Sequence, residues 1–418
     1  MSSETRVVIA GGGMAGARLA QQLAARAGLS VTVIGEEPHP AYNRVLLAEV
    51  LAGQYPAEVI ALPGPPEGVT WRGGVRVVRV DRAERRVVCD DGSLAAYDVL
   101  VLATGSNPVL PPLRGLFEPE GRDLPEGVHP FRTMDDSLAL GAAVRPGTRA
   151  VVIGGGLLGV SAARALAQRG AQVVLAQRGE HLMERHLDAG ASALLRTHLA
   201  ERGVEVHTEC QVRAVLAGDG PGRPVRAVEL ADGYRLEADL VVLACGVRPR
   251  VGLAQAAGLR VRRGIVVDDR LRTSDPAIHA AGDCAEHAGV LYGLAGAAQE
   301  QADALAAVLG GDTAARYTGT RALTRLTLSG PPAAPSGPAP LDLAAFGDTV
   351  PEPGDDVVHL ADATRGAYRK LVVRGDRLRG GILLGDLGSV GALARTWEGD
   401  EPLPSSPLLH LLTHDGGY

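Results

Sequence analysis

The sequence is poor in the groups that bind metals, stack on bases or cross membranes. Its four cysteines, Cys89, Cys210, Cys245 and Cys284, form no CxxC or CxxxxC pair and no Cys/His cluster. Structural zinc, iron–sulfur clusters and a redox-active disulfide therefore lack ligands, and any redox chemistry requires a bound cofactor. Aromatic residues are only 3% of the chain, too few for the stacking platforms of a single-strand nucleic-acid binder. Lysine occurs once, at Lys370, and 42 basic residues face 48 acidic ones, a net charge of -6. No basic face of the kind a phosphate backbone requires is expected, so nucleic acid is not an expected partner. No apolar run approaches the roughly 20 residues of a membrane helix. The apolar start at residues 7–10 meets Gly11 without a basic region before it. Neither membrane span nor leader is expected, and the setting expected is cytoplasmic.

Glycine is the opposite case, with 55 of 418 residues, well above average usage. It marks an internal repeat. Residues 6–16, RVVIAGGGMAG, return as residues 149–159, RAVVIGGGLLG, and residues 97–105, YDVLVLATG, are echoed by residues 238–246, ADLVVLACG. Each copy opens with a short apolar run suited to a buried parallel strand, then a glycine-rich turn and a helix-period stretch, 18–26 or 162–169. The next strands are expected at 31–34 and 173–176, which completes a βαβ unit twice. Residues 109–126 read as the crossing between the units, and 297–309 as a further helix. The run 329–340, SGPPAAPSGPAP, reads as an exposed insertion, because proline cannot donate to a strand ladder. Strand-like runs at 357–360, 368–374 and 378–384, with a Gly375-Asp376 turn and a helix at 390–397, suggest a small antiparallel sheet. The expected class is α/β: two Rossmann-like dinucleotide-binding domains plus a small α+β C-terminal domain.

Gly11, Gly13 and Gly16 form GxGxxG between a strand and a helix, with Met14 and Ala15 at the helix start. The first glycine permits the turn, the second lets backbone approach a pyrophosphate, and the third packs helix on strand. Glu36 or Glu37, after the second strand, is placed to accept ribose hydroxyls, or is an exposed loop charge. Gly154, Gly156 and Gly159 repeat the logic. There the strand end carries Gln177 and Arg178 instead of an acid. A carboxylate at that place suits a free 2′-hydroxyl and an arginine a 2′-phosphate. Arg178 leans the site toward NADPH, unless it is a solvated charge. Asp283 ends an apolar strand after Gly282, where a carboxylate is costly unless something polar meets it; the alternative is a helix cap. His181, His186, His198 and His207 match no paired-ligand spacing and are read as solvated or capping.

Five signatures in order carry a family resemblance: the first GxGxxG, residues 36–44 (EEPHPAYNR), 103–105 (ATG), the second GxGxxG, and 273–283 (TSDPAIHAAGD). Over about residues 5–310 the chain resembles the FAD-dependent pyridine nucleotide reductases. Within them it is similar to the ferredoxin and rubredoxin reductases and to the flavin-binding part of nitrite reductases. Residues 368–386, YRKLVVRGDRLRGGILLGD, are similar to flavin subunits of assimilatory nitrate and nitrite reduction. The resemblance implies FAD in the first unit, with Arg44 near the diphosphate and Val78 lending backbone to the adenine. Ala103, Thr104 and Gly105 would lie where the chain crosses the flavin, with Asp283 accepting from the ribityl chain. Thr104 is alternatively a buried threonine bonded to backbone. A nicotinamide dinucleotide is implied in the second unit, whose equivalent crossing ends at Gly246. The expected domains are 1–115 with 250–318 for FAD, 116–249 for NAD(P)H, and 319–418 as an interface domain.

Three positions depart from the family. Glu49 stands where a lysine is expected near the flavin, Ser161 where a glutamate is expected near the nicotinamide, and Gln299 where an aromatic is common. These are the flavin-proximal candidates for catalysis. The leading expectation is an enzyme that takes hydride from NAD(P)H onto FAD. It would pass electrons singly to a ferredoxin-like carrier or a nitrate/nitrite reductase component, with a homodimer possible. The alternatives are a flavin oxidoreductase acting directly on a small molecule, biosynthetic ones included, and a non-catalytic redox-sensing FAD- and nucleotide-binding protein.

Overall fold

The computed structural model describes residues 4–117, 121, 123–219, 222–321, 323–328, 340–362, 364–385 and 387–403. The chain divides into two compact units, Met1–Leu47 with Pro56–Asn107 and Val247–Ala322, and Ala48–Tyr55 with Pro108–Gly246 and Leu323–Tyr418.

In chain order, β1 (Thr5–Ala10) leads into α1 (Met14–Ala24) and β2 (Leu29–Gly35), followed by α2 (Leu47–Leu51), β3 (Val69–Gly73) and β4 (Val99–Leu102). The second unit continues with β5 (Val128–Pro130), β6 (Arg149–Ile153), α3 (Leu157–Gln168), β7 (Gln172–Ala176), α4 (Ala189–Ala200), β8 (Val204–His207) and β9 (Leu240–Leu243). The chain then returns to the first unit for β10 (Ile278–Ala280) and α5 (Ala295–Leu309).

The first sheet has the order β10-β4-β1-β2-β3 and the second β8-β7-β6-β9-β5. Every ladder in both is parallel. The sequence repeats occupy equivalent central places: Ala10 pairs with Leu102 in one sheet and Ile153 with Leu243 in the other. These strands are apolar at nearly every position because parallel sheets are covered on both faces, and β9 is buried throughout.

The helices after the glycine turns begin earlier than their apolar period suggests, at Met14 rather than 18 and at Leu157 rather than 162. The last glycine of each motif lies inside its helix, where a Cβ would run into the carbonyl oxygen of Gly11 or Gly154. Close packing of helix on turn therefore extends the helix over residues that carry no apolar signal. Helices α1 and α5 pack together and are pinned by Arg18, whose Nε donates to Asp303 Oδ1 at 2.7 Å.

The C-terminal block is an antiparallel sheet of five strands, β11 (Leu323–Leu328), β12 (Leu341–Gly347), β13 (Asp356–Asp362), β14 (Ala367–Arg374) and β15 (Arg377–Gly385), followed by α6 (Val390–Glu398). Its order is β11-β12-β15-β14-β13. The Gly375-Asp376 turn joins β14 to β15, Gly375 taking φ +61. Phe346, Leu371, Leu383 and Leu393 belong to its own apolar cluster. Strands β11 and β12 flank the proline-rich run 329–340, which lies outside the described residues except for Pro340. Within the second unit this sheet meets α4 through Asp188, the helix N-cap. Asp188 Oδ2 accepts from Tyr368 Oη at 2.8 Å and from Lys370 Nζ at 2.8 Å.

Candidate functional site

At the carboxyl edge of the first sheet, Gly11 takes φ +126, and a Cβ on it would collide with the Ala103 carbonyl. Gly13, by contrast, has nothing within 4 Å of where a Cβ would stand. It caps α1 with no side-chain hydrogen bond, and no acid lies in the first turn. Unpaired N–H groups at an uncapped helix start, beside an open glycine, fit an anionic pyrophosphate.

Around this loop the first unit gathers most of the residues singled out from sequence. Glu36 faces two arginines: Arg250 Nη1 at 2.6 Å and Arg76 Nη1 at 3.8 Å. Glu37 accepts from Tyr42 Oη at 2.7 Å and Arg44 Nη2 at 2.6 Å, and the Arg44 guanidinium lies over the Tyr42 ring at 4.9 Å. Burial opposes the Arg44 charge, but Tyr42, Glu37 and Asp283 outweigh it and raise its pKa above the ordinary value. Arg44 and Asp283 are thus electrostatic neighbours. Asp283 Oδ2 accepts from Ser106 Oγ at 2.8 Å. The preceding residue, Gly282, takes φ +82 and donates its N–H to Gln301 Oε1 at 2.7 Å. Thr104 Oγ1 donates to the Arg250 carbonyl at 2.9 Å, and Arg250 N to the Gly105 carbonyl at 2.9 Å. Thr104 is thus a backbone-bonded threonine, while Gly105, at φ +71, makes the turn. Val78 lies at an irregularity in a separate hairpin and is 46% exposed. Cys284 donates its thiol to the Leu102 carbonyl and is fully buried, and burial pushes its pKa up.

The second unit repeats the loop. Gly154 takes φ +112 against the Ala244 carbonyl, Gly156 is open, and α3 starts without a side-chain cap or an early acid. Gln177 Oε1 accepts from the Gly155 N–H at 2.8 Å. Arg178 is exposed and acts electrostatically on Cys245, whose thiol burial pushes up to about 11 despite that cation. Cys245 directly precedes Gly246, which turns at φ +96 after β9. The edge of β7 therefore faces the crossing turn after β9, the usual place for a dinucleotide.

Of the three family departures, two have their polar groups engaged inside the second unit. Glu49 is ion-paired with Arg164, and Ser161 Oγ donates to the Leu157 carbonyl one turn back at 2.8 Å. Gln299 is exposed on α5. His198, expected to be solvated or capping, is instead buried within α4, and burial pushes its pKa down to about 4. No metal-binding group of His, Cys, Asp or Glu occurs among the described residues, and none of their helices is long and apolar enough to cross a membrane. Sequence reasoning missed Ser106, Arg164, Arg250 and Gln301. None lies in a motif, although Arg250 and Ser106 each follow a crossing glycine closely.

The family model for pyridine nucleotide-disulphide oxidoreductases matches residues 5–302. The chain is 35% identical over 387 residues to a nitrite reductase, NAD(P)H, of Bacillus subtilis, covering 91% of this chain and 46% of that protein. It is 34% identical over 387 residues to the assimilatory nitrate reductase electron transfer subunit of the same organism, covering 91% and 48%. The chain thus spans about half the length of these relatives. Among solved structures, the covalent putidaredoxin reductase–putidaredoxin complex superposes with a TM-score of 0.83 at 26% identity, over 98% of this chain and 99% of that one.

Proposed function

The chain belongs to the pyridine nucleotide-disulphide oxidoreductase family, and we propose that within it the chain is an FAD-dependent NAD(P)H reductase. Its electrons would leave for a ferredoxin-like carrier or a nitrate/nitrite reductase component, in the cytoplasm. The observation that carries this reading is the doubling: two parallel sheets, each with an open, uncapped glycine loop at its carboxyl edge. FAD, when bound, supplies the conversion between a two-electron donor and one-electron carriers. That capacity is needed because the chain has no cysteine pair or metal cluster among its described residues.

In this reading residues 1–115 and 250–318 hold FAD, residues 116–249 hold the nicotinamide nucleotide, and residues 319–418 form the interface domain. Gly11, Gly13, Met14, Ala15 and Gly16 receive the pyrophosphate on backbone N–H groups. Arg44 neutralises phosphate charge, and Asp283, oriented by Ser106, accepts from the ribityl chain. Glu36, steadied by Arg250, accepts from the ribose. Gly154, Gly156 and Gly159 receive the nicotinamide dinucleotide, with Arg178 favouring NADPH. Because Glu49 and Ser161 are engaged internally, they offer no acid–base pair for direct small-molecule chemistry, which favours the electron-transfer reading.

Anaerobic stopped-flow absorbance of the FAD-loaded protein tests it. Bleaching of the flavin band by NADPH and, more slowly, by NADH is the expected result. No bleaching by either nucleotide overturns the reductase reading.

A further inference from the structure

The turn that carries Asp283 is held from behind by a buried amide. Gly282 takes φ +82, and a Cβ on it would stand 3.2 Å from the Ala15 Cβ and 3.9 Å from the Ala298 Cβ, so the turn lies between the first turns of α1 and α5. Its N–H donates to Gln301 Oε1 at 2.7 Å. Gln301, on α5, is only 1% exposed. An amide has one accepting and one donating end. With the oxygen committed to Gly282, the NH2 is the end that bonds the Tyr317 hydroxyl. Tyr317 is itself buried, its ring edge-on to His287 at 4.9 Å and to Tyr292 at 5.8 Å. Its hydroxyl lies 2.7 Å from Thr320 Oγ1, which donates to Glu300 Oε2 at 2.7 Å. The single Thr320 proton goes to the carboxylate, so Tyr317 donates to Thr320 and its oxygen accepts from Gln301. Burial pushes the Tyr317 pKa up to about 12 and keeps it a donor. The bonds thus run in one direction, from the Gly282 N–H to the Glu300 carboxylate, and all of these residues belong to the first unit.

Resting on the reading of the first unit as an FAD site, we propose that Gln301 is a positioning residue of that site: it sets the left-handed turn at Gly282 and so presets the Asp283 carboxylate for the ribityl chain. Ser106 bonds the carboxylate itself, at Oδ2, but a bond to the side chain does not set the backbone from which Asp283 springs. Glycine enters the left-handed region without steric cost and leaves it as readily. The bond to its N–H therefore decides whether Asp283 is already in place or must be ordered as the ligand binds. A group ordered beforehand binds more tightly, because association no longer has to immobilise it. Tyr317 and Thr320 lie in the segment between α5 and β11, so that segment anchors the turn through the donating end of Gln301.

Titration of the apoprotein with FAD, followed by flavin fluorescence, reads the effect without turnover. Gln301→Leu leaves the Gly282 N–H without its acceptor and should weaken FAD binding by roughly 5- to 150-fold. Tyr317→Phe keeps the ring packing but releases the donating end of Gln301, and should weaken binding by roughly 2- to 10-fold. Because Gln301 acts through Asp283, the double variant Asp283→Ala/Gln301→Leu should bind FAD no more weakly than Asp283→Ala alone, whereas independent losses would multiply. At saturating FAD, the circular dichroism of the flavin band should change in Gln301→Leu as it does in Asp283→Ala. If Gln301→Leu does not fold, the same cycle run with Tyr317→Phe decides. An unchanged affinity in the single variant, losses that multiply in the double one, or an unchanged flavin dichroism in Gln301→Leu overturns the inference. Parent-like binding by Asp283→Ala overturns the ribityl role of Asp283, and this inference with it. Failure of the parent to bind FAD overturns the reading of the first unit.

Discussion

Arg164, whose side chain is 1% exposed, donates to both carboxylate oxygens of Glu49, at 2.5 Å and 3.2 Å. At the end of α3, Gln168 accepts from Gln54 at 3.2 Å, and the C-cap residue Arg169 donates to the Leu51 carbonyl at 3.4 Å. Residues 48–55 are therefore fastened along the helix that follows the second glycine loop, and they count with that unit. In the family a lysine is expected at position 49 and a glutamate at 161. Here the acid stands at 49, and its cation, Arg164, one turn beyond Ser161.

Breaking this pair should be costly. Glu49→Ala removes the carboxylate from the buried Arg164 guanidinium and is expected to destabilise the fold by about 3–5 kcal/mol. Glu49→Lys sets two cations together and should cost at least as much. Glu49→Met combined with Arg164→Met should recover most of the loss, since apolar side chains of similar length need no partner. Urea unfolding midpoints of the three variants check this. An Arg164→Met/Glu49→Met chain less stable than Glu49→Ala would show that the pair matters through something other than charge balance.

FAD should be held without a covalent bond and released by acid precipitation into the supernatant. Asp283→Ala removes the acceptor that Ser106 orients. The loss of a charge-assisted hydrogen bond predicts an affinity lower by roughly 10- to 150-fold. The variant should purify folded but pale, as judged by circular dichroism and the flavin absorbance per chain. Full flavin occupancy in that variant contradicts the role.

The two glycines of the first loop should respond differently to an added methyl. At Gly16 a Cβ would strike the Gly11 carbonyl, whereas at Gly13 it meets nothing within 4 Å. Gly16→Ala is expected to lower the melting temperature of the apoprotein. Gly13→Ala should leave that temperature nearly unchanged and weaken FAD binding, because its methyl enters the space of the pyrophosphate. Calorimetric melts of the apo chains, paired with FAD titrations, separate the two effects.

The contact between α4 and the C-terminal sheet should weaken in acid. Burial raises the Asp188 pKa, but bonds from Lys370, the Ala191 N–H and Tyr368 outweigh it and hold the carboxyl below its ordinary 3.8. A carboxyl depressed in the folded state stabilises fully above its unfolded pKa. That stability fades as pH falls below about 3.8 through the lower folded value. Protection factors against hydrogen exchange at residues 367–374, rates being corrected for intrinsic exchange at each pH, should therefore fall in this acid range in the parent. Asp188→Asn should show fast exchange already at neutral pH, with less further change in acid.

The doubled glycine motifs, the buried strands around them and the antiparallel C-terminal hairpin are legible along the chain. Each depends on residues a few positions apart and on the periods of strand and helix. Helix starts were less legible, because Gly16 and Gly159 sit inside helices for reasons of packing rather than apolar period. Glu49 and Arg164 are 115 residues apart, and Lys370 and Asp188 182 apart. No local pattern announces such pairs, so Glu49 reads in sequence as a lost lysine and not as half of a bridge. The orientation of Gln177 belongs to the same class. The sequence shows an amide where an acid is expected, but only the fold, by placing the Gly155 N–H against its oxygen, decides that its accepting end serves the glycine loop.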